Sequence, residues 1–310
     1  MENNLEVKNL RKKYNGFELK DINLELPKGM IMGLIGENGA GKTTTIKSIL
    51  NLIKIDKGEI KIFGLNIKEN EKKIKEDIGV VLDDGFFSEY LNPADINKIM
   101  RKMYKNWDEK LYFKYLEDFK LPKNKISKEF SSGMKMKLKI AVALSHHPKL
   151  LILDEPTVGL DPKQITEIRE LIKELGKTHT IIFSSHILSE VSQICNKVII
   201  INKGKIVAID TPENLEKKVN NNNTVYVTVE DLEQKMDSIK DKIEEIKDVK
   251  LVKENEDGTK QYVIEANGDT DLRKVIFSEF AKENITIFEM KKADITLEDA
   301  FMQLIEGGEK

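Results

Sequence analysis

The feature that most limits what this chain can become is the stretch over residues 30–46, MIMGLIGENGAGKTTTI. An apolar run of the kind a buried parallel strand needs ends at Ile35 and breaks abruptly into GENGAGKTT. In this loop, Gly36, Gly39 and Gly41, spaced by Asn38 and Ala40, let the backbone approach a chain of phosphates and turn its N–H groups inward. A helix opening near Lys42 aims the positive end of its dipole at the same anion. Lys42 then reaches the outer phosphates, Thr43 offers a hydroxyl to magnesium, and Thr44 continues the helix start. The pattern reads as strand, glycine loop, helix, and it implies a nucleoside triphosphate.

The rest of the chain has to supply a sheet around that strand. At 310 residues it is long enough for a core domain and an appended one. Its 51 basic and 53 acidic residues leave a net charge of -2, so no strong field draws it to nucleic acid, and none is expected as a partner. Cys195 is the single cysteine, which excludes an internal disulfide and reads as a small buried residue on a helix. No apolar run approaches the roughly 18 residues of a membrane span, and the N-terminus MENNLEVKNLRKKY lacks the greasy core of a secretory signal. The expectation is a cytosolic chain that reaches a membrane only through a partner.

Residues 5–35 alternate with the period of strands, predicting an antiparallel β-layer ahead of the nucleotide core. Tyr14 lies between its first two strands, where a ring either packs or lies flat against a base. After the helix begun at Lys42, EIKIFGLNI reads as one or two strands, and residues 71–82 as a charged helix and a short buried strand. That strand stops on Asp83, which is either a ligand-edge carboxylate or the start of an Asp-Asp-Gly turn. Residues of about 86–147 form a helical insert, with Ile96, Ile99, Met100 and Met103 on one face. Its Phe86, Phe87 and Tyr90 are either core or a docking patch. At Ser131 and Gly133 a further helix starts, its first turn either an anion site or plainly capped by serine.

Residues 150–153 form a second wholly apolar strand and end in Asp154 and Glu155. Beside the glycine loop, Asp154 can hold magnesium while Glu155 accepts a proton from an attacking water. A further buried strand, 180–183, ends in Ser184, Ser185 and His186, whose imidazole can contact a terminal phosphate; His146, His147 and His179 look solvated. KVIII and KIVAI flank Asn202-Lys203-Gly204 as a hairpin. Residues 213–223 read as a linker. From 224 to 310 the order is β-α-β-β-α-β with a closing helix, the ferredoxin-like α+β pattern, without a glycine loop, histidine or cysteine, so it reads as an accessory rather than a second active site.

Over about residues 5–212 these motifs, in this order, resemble the nucleotide-binding subunits of ATP-binding-cassette (ABC) transporters. GENGAGKTT matches the Walker A loop, LLILDEP the Walker B strand, GLD the D-loop and His186 the switch histidine, while FSSGM stands where the family usually has LSGGQ. The resemblance implies an α/β P-loop NTPase core with an antiparallel β-subdomain and a helical insert, filling residues 1–212. It implies an ATPase using ATP and Mg2+, with Glu155, His186 and Lys42 catalytic. Tyr14 would stack on adenine, and Ser131 and Gly133 would cap the ATP of a second subunit in a head-to-tail dimer. The family usually places a magnesium-sensing glutamine where this chain has Asp83. By the same likeness the insert, with Phe86, Phe87 and Tyr90, faces a multi-span permease on the cytoplasmic side of the membrane. A single cassette with such a tail looks most like subunits paired with separate export permeases. Cassette proteins that act on ribosomes or DNA usually carry two cassettes or a long coiled coil, and neither is present here.

Overall fold

Alternating apolar positions build the first layer. In β1 (Asn3–Tyr14) and β2 (Phe17–Pro27) the inward residues Leu5, Val7, Leu10, Leu19, Ile22, Leu24 and Leu26 are all buried. The chain then enters β3 (Ile31–Ile35), every residue of which is buried, and passes through the glycine loop into α1 (Lys42–Ile49). Next come β4 (Lys57–Ile62), β5 (Leu65–Asn66), α2 (Ile67–Lys75) and β6 (Ile78–Val81). The antiparallel layer runs in the order β2-β1-β4-β5. This computed structural model describes residues 2–82, 87–219, 224–230, 242–255, 257–267, 271–292, 297–298, 301–302 and 305.

The helical insert contains α3 (Pro93–Met103), α4 (Glu109–Asp118) and α5 (Ser132–Leu144). They close on a small core of their own in which Ile96, Tyr112, Leu116, Phe130 and Leu138 are buried. Asn92, Asp108 and Ser131 cap the three helices through side-chain oxygens, which explains where each begins. Of the aromatic group read as core or docking patch, Phe87 packs partly against this core, Tyr90 is 70% exposed with Lys128 over its ring, and Phe86 lies outside the described residues.

The chain returns to the sheet with β7 (Leu150–Leu153), α6 (Pro162–Leu175), β8 (Thr180–Ser185), α7 (Leu188–Ser192), β9 (Lys197–Asn202) and β10 (Lys205–Asp210). The six-stranded sheet has the order β10-β9-β3-β8-β7-β6, parallel except for the β9–β10 hairpin. That hairpin turns at Lys203 and Gly204, with φ of 45° and 76°, the left-handed pair that a tight hairpin needs. In register, Gly33 of β3 lies beside Phe183 of β8, which lies beside Leu153 of β7. The carboxyl ends of three adjacent strands therefore open at one edge, where open α/β sheets receive ligands.

Cα packing divides the chain into two compact units, Met1–Pro212 and Glu213–Gly307. The stretch 213–223, read above as a linker, is helical over its first part: α8 (Pro212–Val219) begins on a proline at its first turn and buries Leu215 completely. A polar composition hid that apolar anchor. Beyond it lie β11 (Thr224–Val229), β12 (Ile246–Glu254), β13 (Lys260–Ala266), α9 (Arg273–Lys282) and β14 (Ile287–Lys292). They form an antiparallel sheet of order β12-β13-β11-β14 whose core includes Val225, Val227, Ile264, Ile276 and Phe280.

Candidate active site

The glycine loop is shaped by close packing. A Cβ on Gly36 would lie 2.4 Å from the Ile201 carbonyl oxygen and 2.9 Å from the Ala40 Cβ, so no other residue fits without moving backbone. Gly41, the residue before α1, has φ 115° and would bring a Cβ within 2.7 Å of Leu19. No side chain caps α1 and no acidic residue occupies its first turn. Its leading amides and dipole thus stay directed at a cleft of about 570 Å³ lined by Glu37, Asn38, Gly39, Gly41, Lys42, Thr43 and Thr44.

Across the cleft stand residues from β7 and β8. Lys42 Nζ donates to the Gly36 carbonyl at 2.7 Å and the Glu37 carbonyl at 3.2 Å, and it pairs with Glu155 Oε1 at 3.1 Å. The other carboxylate oxygen, Glu155 Oε2, accepts from His186 Nδ1 at 2.9 Å. Lys42 and Glu155 are only 5% and 9% exposed, so little water screens the pair. Glu155 has φ 49°, unusual for a residue with a side chain, and from that turn just past β7 its carboxylate reaches Lys42. Behind it Ser184 Oγ accepts from the Glu155 amide at 2.9 Å and donates to Asp154 Oδ1 at 2.6 Å. The Asp154 amide is itself held by the Val81 carbonyl at 2.8 Å.

Of the residues singled out from sequence, Lys42, Glu155 and His186 are brought into direct contact, Asp154 sits directly behind, and Asn38, Gly39, Gly41, Thr43 and Thr44 line the cleft. Gly36 and Ala40 shape the loop from beneath. Tyr14 lines an adjoining cleft of about 520 Å³, which shares Phe17 and Gly39 with the first. Its ring is 43% exposed, with Lys12 Nζ 5.0 Å from the centroid. Ser131 and Gly133 belong to a different surface, at the start of α5, where Ser131 Oγ accepts from the Met134 amide at 3.2 Å and Gly133 packs against Gln164. Asp83 lies outside the described residues.

Sequence reasoning missed Phe17, Val158 and Ser184. Phe17 opens β2 and Ser184 is the last residue but one of β8, so the only signal for these two was position near a strand end. His146 needs a correction: far from solvated, it is 2% exposed, stacked on Tyr104 with centroids 4.1 Å apart. Its Nε2 donates to the Ile78 carbonyl at 3.0 Å, and burial pushes its pKa down.

The donors present fit a triphosphate with magnesium. A backbone pressed too close for a Cβ, an uncapped helix start and a buried lysine suit a polyanion. The Thr43 hydroxyl and the Asp154 carboxylate are hard oxygen donors of the kind Mg2+ takes. Against known proteins, the ABC transporter family profile matches residues 19–158. The bacitracin transport ATP-binding protein BcrA of Bacillus licheniformis is 36% identical over 98% of both chains. The chain belongs to the ABC transporter ATP-binding subunits. Like other members it is an ATPase that binds ATP with Mg2+ and works with separate membrane permease components. Among the described residues, no helix of this ABC subunit is long and apolar enough to cross a membrane. The lantibiotic transport ATP-binding protein SrtF of Streptococcus pyogenes is 38% identical, covering 70% of this chain and 96% of its own. A solved ATP-binding subunit of an ABC transporter superposes with TM-score 0.63 at 30% identity, covering 69% of this chain and 92% of that one.

Proposed function

We propose that this ABC subunit drives export of a peptide antibiotic from the cytoplasmic face of the membrane, two cassettes closing head to tail over two ATP molecules. The contact of Lys42, Glu155 and His186 at the carboxyl edge of the sheet carries the catalytic part of this reading. Similarity along nearly the whole of a bacitracin transport protein supports the cargo class.

In this scheme water attacks the γ-phosphorus, the bond to the ADP oxygen breaks, and the proton of the water passes to Glu155. Lys42 faces both Glu155 and the cleft, so phosphate oxygens compete with the carboxylate for its amine and free Glu155 to act as base. The loop amides stabilise charge on the transferred group, and His186 orients both Glu155 and the terminal phosphate. Thr43 and Asp154 are the residues that would hold Mg2+, which when bound neutralises phosphate charge. Tyr14 serves as the adenine platform, and Ser131 and Gly133 serve the nucleotide of the second subunit. The C-terminal unit supports a ferredoxin-like reading through its strand order, with an accessory rather than a catalytic role.

Glu155→Gln in the full-length protein should keep ATP binding, lower turnover by about 10²–10⁴-fold and yield an ATP-dependent dimer in light scattering. Undiminished turnover would remove Glu155 from the mechanism. Co-expressed with its permease in bacteria sensitive to bacitracin, the wild-type chain should raise resistance and the Glu155→Gln chain should not. No gain of resistance from the wild-type chain would sink the cargo assignment.

A further inference from the structure

Behind the catalytic residues lies a carboxyl group that the hydrolysis scheme does not use. Glu190, in the first turn of α7, is 4% exposed. Its Oε2 accepts from Thr157 Oγ1 at 2.8 Å and from Ser185 Oγ at 3.2 Å, while Oε1 is buried without a hydrogen-bond partner. Thr157 follows Glu155 by two positions, and Ser185 directly precedes His186. A carboxyl group bound by two neutral hydroxyls, with one oxygen unmatched, is a costly thing to bury. Its location gives it a use.

The helix that carries Glu190 is also pressed onto the phosphate-loop strand. A Cβ on Gly33 of β3 would lie 2.3 Å from Val191 Cγ1 and 2.9 Å from Cys195 Sγ, so α7 can sit so close only because Gly33 is bare. One short helix therefore touches the strand that feeds the loop, the turn that carries Glu155 and the strand end that carries His186. That turn holds Glu155 at φ 49°, a conformation that persists only where its surroundings enforce it. We infer that Glu190 is a positioning residue for ATP hydrolysis, setting Glu155 and His186 in register through the Thr157 and Ser185 hydroxyls. This rests on the reading of Glu155 as the base.

The test compares steady-state ATPase kinetics and melting of purified full-length variants. Glu190→Ala should lower kcat about tenfold or more with KM for ATP within about twofold of wild type, because geometry at the reacting centre is lost and nucleotide binding is not. Glu190→Gln keeps an oxygen that accepts both hydroxyls and should restore kcat to within about twofold. Thr157→Val keeps shape and removes one donor; it should lower kcat about threefold and add nothing to Glu190→Ala. Three results would overturn the inference: Glu190→Ala with kcat near wild type, Glu190→Gln as impaired as Glu190→Ala, or a loss that merely follows melting temperature. Should Glu190→Ala fail to fold, an unchanged kcat in Thr157→Val overturns it alone. Glu155→Gln, run alongside, separates the two claims. Normal turnover there removes the base and this inference with it, whereas an inactive Glu155→Gln beside a fully active Glu190→Ala removes only the role of Glu190.

Discussion

Two helices in the cassette begin with small residues and no first-turn acid, and they begin differently. The start of α1 has Gly41 in a left-handed conformation and no capping side chain. The start of α5 has Ser131 as a cap, its oxygen already taken by the Met134 amide, and Ser131 and Ser132 face solvent. An uncapped helix end needs some other partner for its amides, and at α1 the loop, Lys42 and the facing carboxylates enclose the space where that partner goes. The α5 end is satisfied within its own chain and open on its outer side. A helix dipole alone thus does not make a complete anion site. The first terminus faces an enclosed cleft within this chain, whereas the second leaves Ser131 and Ser132 open to solvent; under the proposed function the second meets the nucleotide of another cassette.

The sharpest way to break that contrast is Gly36→Ala. The added methyl meets the backbone carbonyl of Ile201 at 2.4 Å, which cannot swing aside as a side chain could, so the loop must shift and its amides lose their aim. ATP affinity, measured by calorimetric titration, should fall by about a hundredfold, as expected when several charge-assisted hydrogen bonds to one anion are misdirected together. An unchanged affinity would mean that the tight packing beneath the loop is irrelevant to binding.

A smaller and more selective effect is expected at α5. Ser131→Asp keeps a good capping side chain but sets a negative charge on the outer face of the helix start. Melting should stay within about 2 °C of wild type and ATP binding by the single chain should be unchanged. In a Glu155→Gln background, however, the ATP-dependent dimer should disappear. If Ser131→Asp still dimerises, the α5 terminus does not meet a neighbour's phosphate. Ser131→Ala, by contrast, removes the cap at a cost of about 1 kcal/mol and should register in melting first.

These two termini also show what sequence could and could not reveal. A strand running into GENGAGKTT is a local pattern, and so are two carboxylates following the run at 150–153 or a histidine following the run at 180–183, so these residues were legible, while Phe17 and Val158, which line the same cleft, were not. What was not legible depends on strand order. Ser184 bonds Asp154 across 30 positions and Thr157 bonds Glu190 across 33, contacts that exist only because β7 and β8 lie side by side. At α5 the serine could be read either way, because a cap and an anion donor have the same spelling. The helix at the start of the 213–223 stretch was hidden for a similar reason: Leu215 is buried in a segment whose average polarity suggested coil.

The smallest effect lies at the other end of α5, where His146 fixes the helix to the sheet by stacking on Tyr104 and donating from Nε2 to the Ile78 carbonyl. Burial lowers its pKa, opposed by the Ile78 and Val142 carbonyls and by Glu76 and reinforced by His147, so the folded protein disfavours the charged ring. The unfolded chain binds its proton near the ordinary value of about 6.5. Above that pH the group is neutral in both states and costs nothing. As pH falls below it, the unfolded state gains the proton first, and stability drops until the folded ring also titrates. His146→Gln removes this slope. Between pH 7 and pH 5 the wild-type melting temperature should therefore fall more steeply than that of the variant, while His179, also lowered by burial, contributes equally to both. ATP affinity at α1 should not distinguish the two proteins at either pH. Parallel melting slopes would show that the ring accepts charge where it sits, and the rear of α5 would then be as adaptable as its open front.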